Sequence, residues 1–381
     1  MMCKRRYILR FFIILAIIVF AMPKSSSGNS SIQQDLTPQP DESKFVYRNF
    51  LPITSTSSSV TDRFTTYTRS YYITTTIGFY NLGQALGNYA MSVTHPDTFF
   101  TYLSFGLIYR DINGAYGTRI YDGNLTFLNT DEISSLIVLL AQGFNSNNNK
   151  DKLYIAVGTN NSHNNYAYST IAYNHGKEWA NMIKEINQTM REEGISYSRA
   201  EAVAGNDIEP GFNNFLDTKL WFDGYNSVSS PPAMYIIGSA DGCPSDYPEP
   251  DPGSGYFQPA MCNNGWSQEN INFISNHYPK TFSIPMNYNT LGENALQWWR
   301  IGLWSYYSYS SDDKLSFSGV MTQEAACQQI REETGDPNTC AGTDNTMQQG
   351  FSQFSNLVKG EYRMNPLLNW AADMKWYKGA P

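Results

Sequence analysis

The sequence predicts an α/β fold, a (β/α)8 barrel of the TIM type with one irregular unit. Three observations lead there. Apolar segments of strand length alternate with segments of helical periodicity from Phe99 onward. Those strand segments are apolar on both faces, which a parallel sheet covered by helices requires. Residues 66–381 run without a further linker, a length ordinary for one barrel domain. An open doubly wound sheet is the alternative. No G-x-G-x-x-G follows a strand to support it with a dinucleotide site.

The elements follow in order. Phe99 to Ile108 reads as a strand. Asp131 to Gln142 reads as a helix, with Thr130 as its cap, Asp131 and Glu132 at the positive end of its dipole, and Gly143 as its stop. Leu153 to Gly158 is a buried strand. His175 to Glu193 is the clearest helix, because Trp179, Met182, Ile183, Ile186 and Met190 recur at three- and four-residue steps before Gly194. His175 is expected to open it. A strand at Ala200 to Gly205, a helix near Leu216 to Tyr225 and a strand at Ala233 to Gly238 come next. Ser267 caps a helix to about His277, Thr281 to Tyr288 is a strand, and Glu293 to Ser305 is a helix. Leu315 to Thr322 is the last strand read, followed by helices from Glu324 and from Met347. Trp298, Trp299 and Trp304 fall in a helix and are expected mostly in the core.

Two segments precede the barrel. Lys4, Arg5, Arg6 and Arg10 introduce an apolar run, Phe11 to Met22, and Val19-Phe20-Ala21 suits a signal peptidase. The run has 12 residues, against about 20 for a spanning helix. Residues 1–22 therefore read as a secretory signal, with an uncleaved N-terminal anchor as the alternative, and Cys3 lies too early to be lipidated. Residues 23–65 are a Ser/Thr/Pro-rich linker. Loss of residues 1–21 removes four cations and no anions, so the net charge falls from -8 to -12. A surface this acidic, with no basic stripe, excludes nucleic acid as a partner. The expected localisation is extracytoplasmic, secreted or at the cell surface.

Cysteine spacing agrees with export. Cys243 and Cys262, and Cys327 and Cys340, form two local pairs, read as disulfides outside the cytoplasm. A zinc site fails on spacing: there is no C-x2-C, and His277 is the histidine nearest Cys262. No H-E-x-x-H, Walker loop or G-x-S-x-G elbow occurs. The sequence implies neither metal nor cofactor.

In such a barrel the chemistry sits where strands end. Four exits carry polar residues: Gly158 to Ser162, Gly205 to Gly211, Gly238 to Gly242, and Pro285 to Tyr288. The second holds Asp207 and Glu209, two residues apart and thus on one side of an extended chain, with roots about 6–7 Å apart. Close carboxylates resist double ionisation, so one keeps its proton and can protonate a leaving oxygen. Sugar-cleaving sites need that pair. Glu209 is the candidate acid, Asp207 its partner, and Asp241 a third candidate. An Asp or Glu after a strand also caps helices, and Asp241-Gly242-Cys243-Pro244 is good turn chemistry. Asn160, Asn206, Asn287, Tyr288 and Tyr256 are candidate substrate contacts. Tyr256 lies in the acidic loop Pro244 to Met261, with Tyr247 and Phe257, where aromatics either stack on sugars or pack the loop down. His163 follows a strand end and reads as a solvated loop residue.

The triplet Asp207-Ile208-Glu209 resembles the D-x-E signature of barrel glycosidases such as chitinases and barrel-type muramidases. That resemblance implies Glu as proton donor and Asp as its support. A wider resemblance, to a family of secreted bacterial proteins with a glycoside-hydrolase-like barrel, covers most of residues 75–350. It rests on Gly78 to Gln84, Tyr116 to Arg119, His175 to Ala180, Asp207 to Gly211, Asp223 to Tyr225, Asp241 to Pro244, Cys262 to Trp266 and Cys340 to Thr346. The chain departs from that pattern where an acid is expected in the strand Ile284 to Tyr288 and Met286 and Asn287 stand instead. Two functions follow as expectations: hydrolysis of a polysaccharide or peptidoglycan glycan through Glu209 and Asp207, or non-catalytic glycan binding or envelope scaffolding by the same barrel.

Overall fold

The computed structural model describes residues 66–93, 98–162, 168–245, 258–308 and 314–379. The signal and linker segments, His163, and Tyr247, Tyr256 and Phe257 lie outside them. Ten strands occur in chain order: β1 Thr66–Ile73, β2 Thr98–Arg110, β3 Tyr116–Arg119, β4 Phe127–Asn129, β5 Lys152–Asn160, β6 Ala200–Asp207, β7 Met234–Gly238, β8 Thr281–Pro285, β9 Ser316–Thr322 and β10 Asn365–Tyr377. Eight pair in parallel in the order β1-β2-β5-β6-β7-β8-β9-β10, and β10 returns to β1. The sheet closes on itself, so the fold is the predicted eight-stranded parallel barrel and not the open doubly wound sheet.

The helices are α1 Phe79–Ser92, α2 Thr130–Asn147, α3 Tyr168–Glu192, α4 Phe215–Asn226, α5 Gln268–Asn276, α6 Glu293–Ser308, α7 Glu324–Thr334 and α8 Met347–Val358. Irregularity enters twice. β3 and β4 form an antiparallel extension of β2, and two helices, α7 and α8, separate β9 from β10. Local chemistry sets several helix starts. Ser267 caps α5 in a reciprocal box with Asn270. Asn129, one residue before the expected Thr130, caps α2 and pairs with Glu132. His175 does not open its helix, because α3 already begins at Tyr168.

Two apolar layers hold the barrel. The helix-facing layer gathers Leu103, Ile155, Val157, Ala202, Ala204, Ile236 and Val320 with helix residues such as Trp179, Ile183, Trp221 and Trp298. The interior holds Phe100, Tyr102, Ala156, Val203, Tyr235, Ile237, Ile284, Met286, Met321, Trp370, Ala372 and Met374. This alternation identifies which side chains point inward at each strand end. Tyr102 lies across the barrel because its neighbours are glycines. A Cβ at Gly158 would fall 1.9 Å from its ring, and one at Gly205 2.6 Å. Gly176 and Gly224 likewise let α3 and α4 meet backbone to backbone. That contact accounts for two of the motifs behind the family resemblance by packing alone.

Both cysteine pairs are bonded, Cys243–Cys262 and Cys327–Cys340. Among the described residues no helix is long and apolar enough to cross a membrane.

Candidate functional site

Inward-facing residues at the strand exits form one polar ring. Following the alternation, Tyr72 comes from β1, Ser104 from β2, Asn160 from β5, Asp207 from β6, Ser239 from β7, Tyr288 from β8, Gln323 from β9 and Trp376 from β10. Glu209 and Asp241 follow directly after β6 and β7. The barrel therefore brings the three candidate acids to one place, two from one strand exit and one from the next.

Glu209 is 2% exposed and Asp207 4%, while Asp241 is half-buried. Tyr288 donates its hydroxyl to Glu209 Oε1. Asp207 Oδ1 is buried without a hydrogen-bond partner, and Glu209 Oε2 is buried beside Asp241. Ser239 donates to Asp241 Oδ1. None of the ion pairs among the described residues uses any of the three acids. Burial, then the nearby Asp241 and Asp207 charges, push the Glu209 carboxyl well above the usual range, and Tyr288 and Ser239 oppose that only in part. Burial, with Asp241 adding to it, pushes Asp207 up to about 7. Asp241 is also raised by burial, against hydrogen bonds from Ser239 and Glu209. Three acids in one dry site cannot all ionise, so the cluster holds a proton at neutral pH.

The main chain under Glu209 is clamped by Asn161, fully buried at the exit of β5. Its Oδ1 accepts from Glu209 N at 3.1 Å, and its Nδ2 donates to Glu209 O at 3.1 Å. Asn161 faces outward and so reaches the neighbouring exit across the top of the strands. Its place in the Asn160-Asn161 pair was the only signal in the sequence, and the sequence reading favoured Asn160. Tyr288 is held in the same manner. Its carbonyl accepts from Asp344 N at 2.9 Å and Asn345 N at 3.1 Å. The Asn345 amide also donates to the carbonyls of Asn287 and Asn289. The Cys340 to Thr346 motif thus fixes the loop that aims Tyr288 at Glu209, and Cys327–Cys340 ties that motif to α7.

An aromatic wall faces the acids. Tyr72, Tyr121 and Trp376 meet edge to face or tilted, with ring centroids 4.7–5.7 Å apart. Gln323 donates to the Tyr72 hydroxyl, and Asn160 donates to that of Tyr121 at 2.8 Å. Asn160 is therefore part of the mouth. Tyr121 and Tyr72 were not read as site residues. They lie in segments with weak strand patterns.

Two candidates point elsewhere. Asn206 alternates with Asp207 and so shares the helix-facing side with Ala202 and Ala204, fully buried. Asn287 also faces the helices and donates to Gly350 O of α8 at 3.0 Å. A one-residue step along a strand reverses the face, and neither asparagine comes to the mouth. His175 is buried in α3, 58 residues from the Gly117 carbonyl that its Nε2 contacts, and Trp221 donates to its Nδ1. Burial pulls it down to about 4, so it is a neutral structural link from α3 to β3. Trp298 is buried in the core, donating to Gly238 O.

No family model matches the chain, and no curated protein matches it. Among solved structures, an endo-1,4-β-mannanase from Rhizomucor miehei aligns over 83% of this chain and 86% of its own, at 12% identity and a TM-score of 0.41. An endo-β1,6-glucanase aligns over 69% of this chain and 68% of its own, at 14% identity and a TM-score of 0.27. At these scores neither superposition bears on the site, and the barrel assignment stands on the strand pairing alone.

Proposed function

We propose that this protein is a secreted hydrolase of a cell-wall or other extracellular glycan, with Glu209 as proton donor assisted by Asp207. The observation that carries the reading is the buried cluster of Asp207, Glu209 and Asp241 at the barrel mouth, without a cationic partner among the described ion pairs. Glu209 has the strongest pressure to stay protonated, which suits a general acid. It gives its proton to the glycosidic oxygen as the bond to the anomeric carbon breaks. An ionised neighbour, Asp241 or Asp207, stabilises the positive charge growing on that carbon. Water then adds, and its proton returns to the Glu209 carboxylate. The aromatic wall of Tyr72, Tyr121 and Trp376 supplies apolar faces opposite the acids. The N-terminal signal and the two disulfides support a site outside the cytoplasm.

A specific observation favours a second reading, glycan binding without cleavage. The inward residues that follow β8 and β9 are Tyr288 and Gln323, neither of them a carboxylate. The two readings part in a glycan-release assay on peptidoglycan and on chitin-like polymers. Hydrolysis by the native protein that is lost in Glu209→Gln supports the enzyme. Equal release by both proteins removes Glu209 from the mechanism, and binding with no release by either establishes the binding protein.

A further inference from the structure

The mouth gathers three carboxyl groups with no ion-pair partner among the described residues. Asp207, Glu209 and Asp241 come from two adjacent strand exits, and Asp207 Oδ1 is buried with no partner. The remaining ring members are neutral: Tyr72, Ser104, Asn160, Ser239, Tyr288, Gln323 and Trp376. Among the described residues no three His, Cys, Asp or Glu side chains are spaced to hold a metal ion. Buried polar atoms are ordinarily satisfied, so orphaned acceptors at a strand exit mark where a ligand donates. A donor that also carries positive charge forms the strongest bonds to carboxylates.

We propose that the mouth selects a glycan carrying a free amino group, a hexosamine with its ammonium seated against Asp241 and the unpartnered Asp207 oxygen. This rests on the mouth being a glycan site. Asp241 is the most exposed of the three acids. Ser239 donates to its Oδ1. Burial, with repulsion added to it, keeps the neighbouring carboxyls protonated; the charge of the ammonium offsets both, so its arrival releases protons from the cluster, Asp207 included. A uronic acid brings like charge to the same place and is rejected. An N-acetylated sugar keeps a donor but loses the charge.

Cleavage itself also passes through a cationic state, so the test is ground-state binding. Calorimetric titration of Glu209→Gln full-length protein compares tetramers of β-linked glucosamine, N-acetylglucosamine and galacturonic acid. Measurements are made at about pH 6, where an amine is charged. The glucosamine tetramer is expected to bind at least about tenfold more tightly than the acetylated one. Asp241→Asn, which keeps an acceptor for Ser239, is expected to erase most of that preference, and added salt to reduce it. In the native protein, titration in two buffers of different ionisation enthalpy is expected to show proton release. Equal or tighter binding of the acetylated tetramer, binding of the galacturonate tetramer, or the absence of proton release overturns the proposal. Amine-selective binding without turnover of any polymer leaves the proposal standing and removes the hydrolase. Turnover of acetylated glycans with no amine preference does the reverse.

Discussion

Replacing Asp207 by Asn should make the protein more stable in alkaline solution while weakening its site. Burial and Asp241 hold the Asp207 carboxyl at about 7 against 3.8 in an ordinary setting. Each unit of difference corresponds to about 1.36 kcal/mol, so ionising this group in the fold costs about 4 kcal/mol relative to the unfolded chain. The sign follows from proton counts. Below the ordinary value both states hold the proton, and Asp207 takes nothing from stability. As pH rises from about 4 to about 7, the unfolded chain releases a proton that the fold keeps, and stability falls. Above that window the whole penalty is present. Asparagine never ionises and never incurs it. Urea unfolding of both proteins is the assay, with disulfides intact, at about pH 3 and about pH 8. Equal stability is expected at the acid end. At the alkaline end the variant should gain up to about 4 kcal/mol, or roughly 6 °C in a melting scan for a domain of this size. A variant that is no more stable at alkaline pH, or whose advantage is the same at both ends, would refute the claim that Asp207 is held protonated by its surroundings.

The other expectations concern the groups around that acid. Tyr288→Phe removes the hydroxyl that favours ionised Glu209, so the alkaline limb of the pH–rate profile should move upward; an unmoved limb detaches Tyr288 from Glu209. Asn345→Ala should move the same limb less, because it loosens the Tyr288 loop rather than removing the hydroxyl. Asn161→Leu leaves the buried Glu209 N–H and C=O without their clamp and should cost about 2–4 kcal/mol in unfolding experiments, with lost activity even where the fold survives. His175 stays neutral in the fold down to about 4 while the unfolded imidazole protonates near 6.5. Stability should therefore fall by about 3 kcal/mol as pH drops through that window, and NMR titration of the imidazole should show no protonation between those limits.

Local patterning made much of the barrel legible. The helices around Trp179 and after Ser267 follow from periodicity and caps, and β5, β6 and β7 from short apolar runs between turns. β1 and β10 escaped that reading for a physical reason. β1 reads Thr-Tyr-Thr-Arg-Ser-Tyr-Tyr-Ile, and its inward residues Thr68 and Ser70 are small, polar and buried. β10 begins exposed and carries Asp373 and Lys375 among its apolar residues. Neither is apolar on both faces, and each becomes a strand by pairing with the other to close the barrel. Closure is a long-range event that no window of sequence contains.

For the site the division is similar. The chain order alone placed Asp207 and Glu209 on one side of one strand end, beside a third acid after the next, and the cysteine spacing alone indicated which pairs would bond. These are short-range properties, set by the two-residue repeat of an extended chain and by turn chemistry. The face that each neighbour presents was decided by the closed barrel: Asn160 toward the mouth, Asn206 and Asn287 toward the helices, Asn161 onto the Glu209 main chain. So was the burial that makes the acids unusual. Proximity of carboxylates is written in the chain, but the buried setting, without an ion-pair partner among the described residues, that keeps a proton on them exists only once eight strands meet in a ring.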